Sequence, residues 1–393
     1  MAAGAPTPRT TPPGGDGKRA QHRAGPAGGG TQPVRSPRPV SAFLGFGTAL
    51  PEHTIDGEAG RAALSAYWPR LRGVTPEPVT RHLVAPIDRV LRLRSLGERM
   101  AAYAEHAPRL ARLASCRALA AAGVEPDQID LVISVSCTGY LCPSLDVQLA
   151  RETGLRPDVT RLPLTELGCS GGAAGVAAAH RHLAAFPDSR VLVVAVEVPS
   201  LTFQRDDRSL DNLRAALVFG DGAAAAVLGP DETGGRLQVH GAASHLLPGS
   251  EDALGFDLRD GGFHVVLDRR VPQLIEHGLS AVVAEFTARQ GIDRPAFYAV
   301  HAGGPRVFDA VDAALRLRPD DLAPSRRVFG QVGNLSSASI LFNLAGLRDA
   351  AGDGLALAFG PGVTIELTHL RGPRRSGQNS QGISRARPRN ASS

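Results

Sequence analysis

The chain is predicted to fold as an α/β protein of two duplicated lobes stacked in layers, and three features of its 393 residues carry that prediction. Short apolar runs alternate with segments of helical period along most of the length. The second half repeats the style of the first. Each half also presents a helix start bordered by glycine and serine, at 168–175 and 333–339, so two helix ends can face one central site.

Ordered sequence is expected to begin with a short strand at 42–47, ending in the turn-prone Thr48-Ala49-Leu50-Pro51. Residues 99–122 carry alanine and larger apolar residues at helical spacing and stop at Gly123-Val124-Glu125-Pro126. Residues 131–135 read as a buried strand, 145–153 as a helix, 161–167 as a strand, and 190–198 as a nearly unbroken apolar strand between Asp188 and Pro199. Within 218–228, Phe219-Gly220-Asp221-Gly222 is a glycine-rich turn leading into another apolar run. After a polar break at 229–235 the second lobe starts near Leu237. It holds helices at 271–289 and 334–349 and strands at 296–301, 355–359 and 363–370. The expected domains are a disordered Pro/Gly/Arg-rich arm at 1–40, a first lobe at 41–235, a second at 236–370 and a disordered basic tail at 371–393.

The formal net charge of +5 comes from the two ends. Residues 1–38 hold six basic side chains against Asp16, and residues 371–393 hold six arginines and no acid. The stretch between them is therefore acidic, near −6. The tails lack interleaved aromatics and any recognisable module, so no nucleic-acid partner is expected. No apolar run approaches the length that spans a bilayer, and the N-terminus lacks a signal-peptide core, so a cytoplasmic protein without membrane contact is expected. Cys116, Cys137, Cys142 and Cys169 show neither CxxC spacing nor the density of a disulfide scaffold and read as free thiols. His180 and His182 point to different helix faces with no further ligands nearby, which reads as a surface pair rather than a metal site.

Cys169, in Leu167-Gly168-Cys169-Ser170-Gly171-Gly172, carries the clearest chemical signature. A thiol opening a helix has its pKa lowered by the helix dipole, and glycines leave room for a thioester and for amides that hold an oxyanion. Small residues around a cysteine also let a buried helix pack closely, and local sequence does not separate the two readings. His301 ends an apolar strand before Ala302-Gly303-Gly304-Pro305, the address of a catalytic imidazole or of a histidine bonded to its own backbone. Asn334, in Gly333-Asn334-Leu335-Ser336-Ser337, stands where an oxyanion donor would be useful and where a helix N-cap is expected.

The three motifs together, in this order and with these flanks, resemble the type III polyketide synthase family, the chalcone synthase-like enzymes of the thiolase fold. The resemblance spans roughly residues 42–370. It includes Gly47-Thr48-Ala49-Leu50-Pro51, Thr80-Arg81-His82, Leu217-Val218-Phe219-Gly220-Asp221-Gly222-Ala223 and Phe359-Gly360-Pro361-Gly362-Val363-Thr364-Ile365-Glu366. It implies a layered αβαβα fold and an acyltransferase that loads a coenzyme A-linked starter on Cys169. Decarboxylative Claisen condensation with malonyl-CoA then extends the chain, which is cyclised to a polyhydroxyaromatic or a pyrone. No metal, cofactor or acyl carrier protein is implied, and a homodimer is. His301 would hold the thiolate as an ion pair and, with Asn334, hydrogen-bond the thioester oxygen.

By the same resemblance Phe219 is a gatekeeper, and Cys137, Cys142, Pro199, Thr202, Val265, Ser336 and Phe359 line the substrate cavity. Arg81, Gly303, Gly304 and Arg306 contact coenzyme A. Cys142 aligns with a residue that crosses into the partner's cavity; its plain alternative is a small buried thiol. Ser136-Cys137-Thr138-Gly139, Thr80-Arg81-His82-Leu83-Val84 and Gly262-Phe263-His264 are similar to the bacterial tetrahydroxynaphthalene synthase branch, whereas Pro199 and Thr202 stand where that branch carries cysteines. Val265 replaces a second gatekeeper phenylalanine of the plant enzymes. Pro78 stands near a missing family lysine, leaving phosphate binding to arginines such as Arg89, Arg92 or Arg94. The competing readings are a ketoacyl-ACP synthase III-like enzyme, which shares the Cys, His, Asn order, and a catalytically silent thiolase-fold partner subunit.

Overall fold

The computed structural model describes residues 41–231 and 235–373. The expected arm at 1–40 and the tail beyond residue 373 lie outside the described residues.

Nine strands form one mixed sheet in the order Phe297–Val300, Gly352–Gly360, Thr364–Gly372, Gln238–Leu246, Ser41–Ala49, Gly222–Gly229, Val191–Glu197, Leu131–Val135 and Thr160–Leu164. Strands from residue 238 onward occupy one end and the earlier strands the other. Within the sheet the two halves pair where Ser41 and Ala42 meet Val239 and Gln238.

Every residue of Leu131–Val135 and Val191–Glu197 is buried, which explains their unbroken apolar character. Alternate side chains serve different cores, as the two-residue period of a strand requires. Ile133, Val193 and Ala195 face a central core built around helices Gly171–Ala185 and Ala338–Gly346. Val132, Leu192, Val194 and Val196 pack instead under the long helix Leu96–Ala122. In the other half Ala356 and Ala358 join the central core, while Leu355, Leu357 and Phe359 pack under helices Val271–Gln290 and Pro305–Leu315. The layers thus run helix, sheet, central helix pair, sheet, helix.

The helix pair is locked at its N-terminal ends. A Cβ on Gly172 would lie 2.1 Å from the Ser337 carbonyl oxygen, so only glycine permits this approach. The contact presses the segment holding Cys169 against the one holding Ser336.

The long helix begins at Leu96, three residues before its expected start, because Ser95 and Glu98 form a reciprocal capping box. The second central helix begins at Ala338 instead of 334, since Asn334 to Ser337 form a turn of their own. Helices Leu210–Val218 and Ala323–Val332, strand Gln238–Leu246, and the hairpin of strands Leu254–Arg259 and Gly262–Leu267 are additional to the sequence reading, as is Pro305–Leu315. The hairpin pairs only with itself. All four cysteines are free thiols. His180 is half-buried, with Nδ1 3.0 Å from the Ser41 hydroxyl, and the described residues hold no cluster suited to a metal. Among them no helix is long and apolar enough to cross a membrane.

Candidate active site

Cys169 sits on the one-turn 3₁₀ segment Gly168–Ser170, directly before the central helix Gly171–Ala185. Gly168 takes φ +53°, and a Cβ there would meet Cδ of Pro361 at 2.5 Å, so the turn presenting the thiol needs glycine twice over. The Cys169 Sγ lies 3.5 Å from the Ser336 hydroxyl.

Ser336 is itself held in an unusual conformation. The Asn334 Oδ1 accepts a hydrogen bond from the Ser336 backbone N–H at 2.8 Å, closing a side-chain turn in which Ser336 adopts φ +48°. Asn334 is therefore not the helix N-cap. Its amide oxygen is used two residues on, which leaves the buried NH₂ as the group to donate. The Asn334 backbone N–H donates to Val218 at 2.9 Å, and the residue bridges to Phe219, fixing the expected gatekeeper beside it.

His301 follows strand Phe297–Val300 and is buried. Its backbone N–H bonds Leu357 at 2.8 Å and its carbonyl accepts from Gly303 at 2.8 Å, but the imidazole takes no part in capping the strand. The ring Nδ1 is buried without a hydrogen-bond partner. The Asn343 side chain donates to the Val300 carbonyl at 2.7 Å, tying the second central helix to the residue before His301. Among the described residues no hydrogen bond joins His301 to Cys169.

Burial governs the electrostatics. It pushes the Cys169 thiol up to about 12, against the lowering effect of the Ser336 hydrogen bond, and pushes the His301 imidazole down to about 4. Both burial effects favour the uncharged thiol and imidazole, the opposite direction from the ion pair that the sequence resemblance implies. The sign gives a test. The thiolate fraction of Cys169 grows with pH, so inactivation by iodoacetamide should accelerate about tenfold per pH unit between pH 7 and 9. A rate already level at neutral pH would mean a resting ion pair.

A buried carboxylate that sequence reasoning missed lies behind the thiol. Glu197 accepts from the Thr138 hydroxyl at 2.7 Å, from the Cys137 backbone N–H at 3.1 Å, from the Cys137 thiol at 3.4 Å, and from Ser337. Burial still holds its pKa above the usual carboxylate range. An acid closing the apolar run Val191–Glu197 was the available signal. Cys137 Sγ also lies 3.4 Å from the Ser336 hydroxyl, so one hydroxyl stands between two thiols.

A narrow cavity of about 40 Å³ opens beside Cys169, and Pro199, Thr202, Phe219, Val265 and Ser336 line it. The free-standing hairpin adds Leu254 and Phe256 to this wall. Phe359 must be withdrawn from it: its side chain is buried in the core under Val271–Gln290. Cys137 stands behind Ser336 and does not itself line the cavity. Cys142 is exposed beside Tyr140, which removes the buried-thiol reading.

A second cavity of about 300 Å³ is lined by Gly303, Gly304 and Arg306 together with Arg214 and Arg269, and shares the Leu267 wall with the first. Arg214 and Arg269 were not anticipated. Arg89, Arg92 and Arg94 do not line it. Arg81 is also not there. It is fully buried, donates to the Ala216 carbonyl, and has a pKa lowered to about 10 by burial, so it is a core residue and not a coenzyme A contact.

A thiol at a helix start that lines a narrow cavity, with an arginine-lined cavity sharing the Leu267 wall, suits an enzyme that carries acyl groups as thioesters. The comparisons with known proteins make this specific. The chain belongs to the chalcone and stilbene synthase family: the N-terminal domain of that family matches residues 86–232 and the C-terminal domain residues 238–373. It is 40% identical over 296 residues to a 1,3,6,8-tetrahydroxynaphthalene synthase of Streptomyces griseus, covering 73% of this chain and 79% of the relative. It is 32% identical over 294 residues to a phloroglucinol synthase of Pseudomonas fluorescens, covering 73% of this chain and 84% of the relative. The crystal structure of the tetrahydroxynaphthalene synthase of Streptomyces coelicolor superposes with a TM-score of 0.79 at 33% identity, covering 84% of this chain and 99% of that one. The protein is a type III polyketide synthase, an acyltransferase of the thiolase fold.

Proposed function

We propose that this enzyme primes and extends with malonyl-CoA and closes the chain to a naphthol-type polyhydroxyaromatic, without an acyl carrier protein, metal or cofactor. The observation that carries the reading is the Cys169 thiol in a narrow cavity that shares the Leu267 wall with a second cavity lined by arginines. The 40% identity to a 1,3,6,8-tetrahydroxynaphthalene synthase supports the naphthol-type product.

In the proposed sequence the Cys169 sulfur attacks the starter thioester as neutral His301 takes its proton. That proton then leaves with the coenzyme A thiol, so the step balances. Malonyl-CoA next loses CO₂ to give an enolate whose oxygen is held by the Asn334 NH₂ and a His301 ring N–H. Neutral, preorganised donors stabilise such charge without a metal. The enolate carbon attacks the Cys169 thioester, a carbon–carbon bond forms, and the thiolate departs. Arg214, Arg269 and Arg306 would hold the coenzyme A phosphates, with Gly303 and Gly304 allowing close backbone approach. The lobes at 41–235 and 236–370 each supply one face of this site. Exposed Cys142 fits a homodimer in which it reaches the partner's cavity, working in the cytoplasm.

Mass spectrometry of products from malonyl-CoA alone tests the reading. An aromatic product without added starter or carrier protein is expected, and product only with a fatty acyl-CoA would overturn it. In the same assay an Arg214→Ser, Arg269→Ser enzyme should show a KM for malonyl-CoA raised about tenfold with kcat nearly unchanged, the mark of lost uniform binding.

A further inference from the structure

A third cavity, of about 420 Å³, shares no lining residue with the channel beside Gly303 or with the cavity at Cys169. Five arginines line it, Arg94, Arg99, Arg205, Arg208 and Arg259, with His264 and only Asp206 and Asp207 against them. Some of that charge is already spent: Arg94 bridges Asp206 at 2.6 Å, and Arg259 bridges Asp257 at 2.7 Å. Arg205 stacks over the Tyr67 ring at 5.2 Å. Arg208 makes no ion pair among the described residues.

Arg99 is the notable member. It is 1% exposed, and its guanidinium donates to the carbonyls of Leu201, Gly261 and Leu93 and to the Gln204 side chain, at 2.6, 2.8, 2.9 and 3.2 Å. Among the described residues no carboxylate lies within ion-pair distance of it. A buried cation balanced only by neutral acceptors is costly unless an anion shares its field. His264 Nδ1, buried without a hydrogen-bond partner and 3.5 Å from Asp207, adds an unsatisfied polar group to the same cavity.

We propose that this cavity is an anion site for a small phosphate-bearing molecule, separate from the coenzyme A channel. Three more arginines than acids line it, which suits a multiply charged phosphate better than a single carboxylate, and guanidinium forks bind phosphate oxygens in pairs. The site is coupled to the reaction cavity through shared backbone. Arg99 grips Leu201, next to Thr202 of the cavity wall, and Gly261 at the tip of the hairpin whose Phe256 and Val265 form that wall. An occupant would brace the hairpin.

Calorimetric titration of the full chain with pyrophosphate at low ionic strength, with and without saturating coenzyme A, tests the proposal independently of turnover. One site per chain that persists under coenzyme A is expected. Replacing the exposed Arg208 and Arg259 together (Arg208→Ser, Arg259→Ser) should weaken it at least about tenfold, and Arg214→Ser should leave it unchanged. No binding at concentrations on the order of 10 mM, competition by coenzyme A, or sensitivity to Arg214→Ser alone would overturn the proposal.

Discussion

Cys169→Ala protein is expected to release no polyketide, with turnover reduced at least about 10⁴-fold, while still decarboxylating malonyl-CoA at a measurable rate. The two halves of this result separate two functions of one site. Condensation needs the sulfur as leaving group and anchor, so its loss is not compensated by any neighbour. The Cys137 thiol is held against Glu197 and behind Ser336, and burial raises its pKa well above the ordinary thiol value. It is no substitute nucleophile. In the proposed mechanism decarboxylation needs only donors for the enolate oxygen, and His301 and the Asn334 NH₂ remain to supply them. Mass spectrometry for product and release of labelled CO₂ read the two separately. Wild-type levels of polyketide from Cys169→Ala would remove the cysteine from the mechanism. Equal loss of decarboxylation would show that the thiol takes part in that step too.

The second large effect falls on stability. Arg81→Met should destabilise the protein by about 1–3 kcal/mol, the scale of a lost charge-assisted hydrogen bond, and lower Tm by on the order of 2–5 °C. Arg81 is fully buried, bonded to the Ala216 carbonyl, and lies in the field of Asp221. Asp221 ties three parts of the chain together, accepting from the Val84 N–H at 2.8 Å, the Ser200 N–H at 2.9 Å and the Ser200 hydroxyl at 2.6 Å. Burial lifts the Asp221 pKa to about 6, with Arg81 among the groups opposing that rise. A folded carboxyl above its unfolded value favours the protonated form, so this residue costs stability as pH rises from about 4 through 6. Without Arg81 that cost grows and the window extends to higher pH. Thermal denaturation between pH 5 and 8 measures both. A stable Arg81→Met protein with a raised KM for malonyl-CoA would return Arg81 to coenzyme A binding.

The contrast between these two residues shows what was readable in the chain. Cys169 carries its evidence locally, in flanking glycines and a helix start. Arg81 sits in Thr80-Arg81-His82, a polar triplet with no local mark of burial, because what packs against it is Ala216, Asp221, Gly60, Gly220 and Gly333 from other elements. Strands at 131–135 and 190–198 were legible because both faces are buried, which leaves an apolar run. The hairpin Leu254–Leu267 was not, since its residues are mostly half-buried or exposed and its partner strand is only itself. Phe359 fell on the wrong side for a related reason. Pattern marks it as buried, but a strand packed on both faces gives no sign of which face holds substrate. Asn334 was read with two roles open, and the bond to the Ser336 N–H decides against the cap.

That hairpin has a further meaning for how the enzyme diversifies. The thiol, the imidazole and the amide are anchored to the great sheet and its paired helices. Much of the mould around the growing chain hangs on a ribbon bonded to no other strand. Product identity can therefore drift while the chemistry stays fixed, and a lineage can explore new rings without first surviving the loss of its reaction.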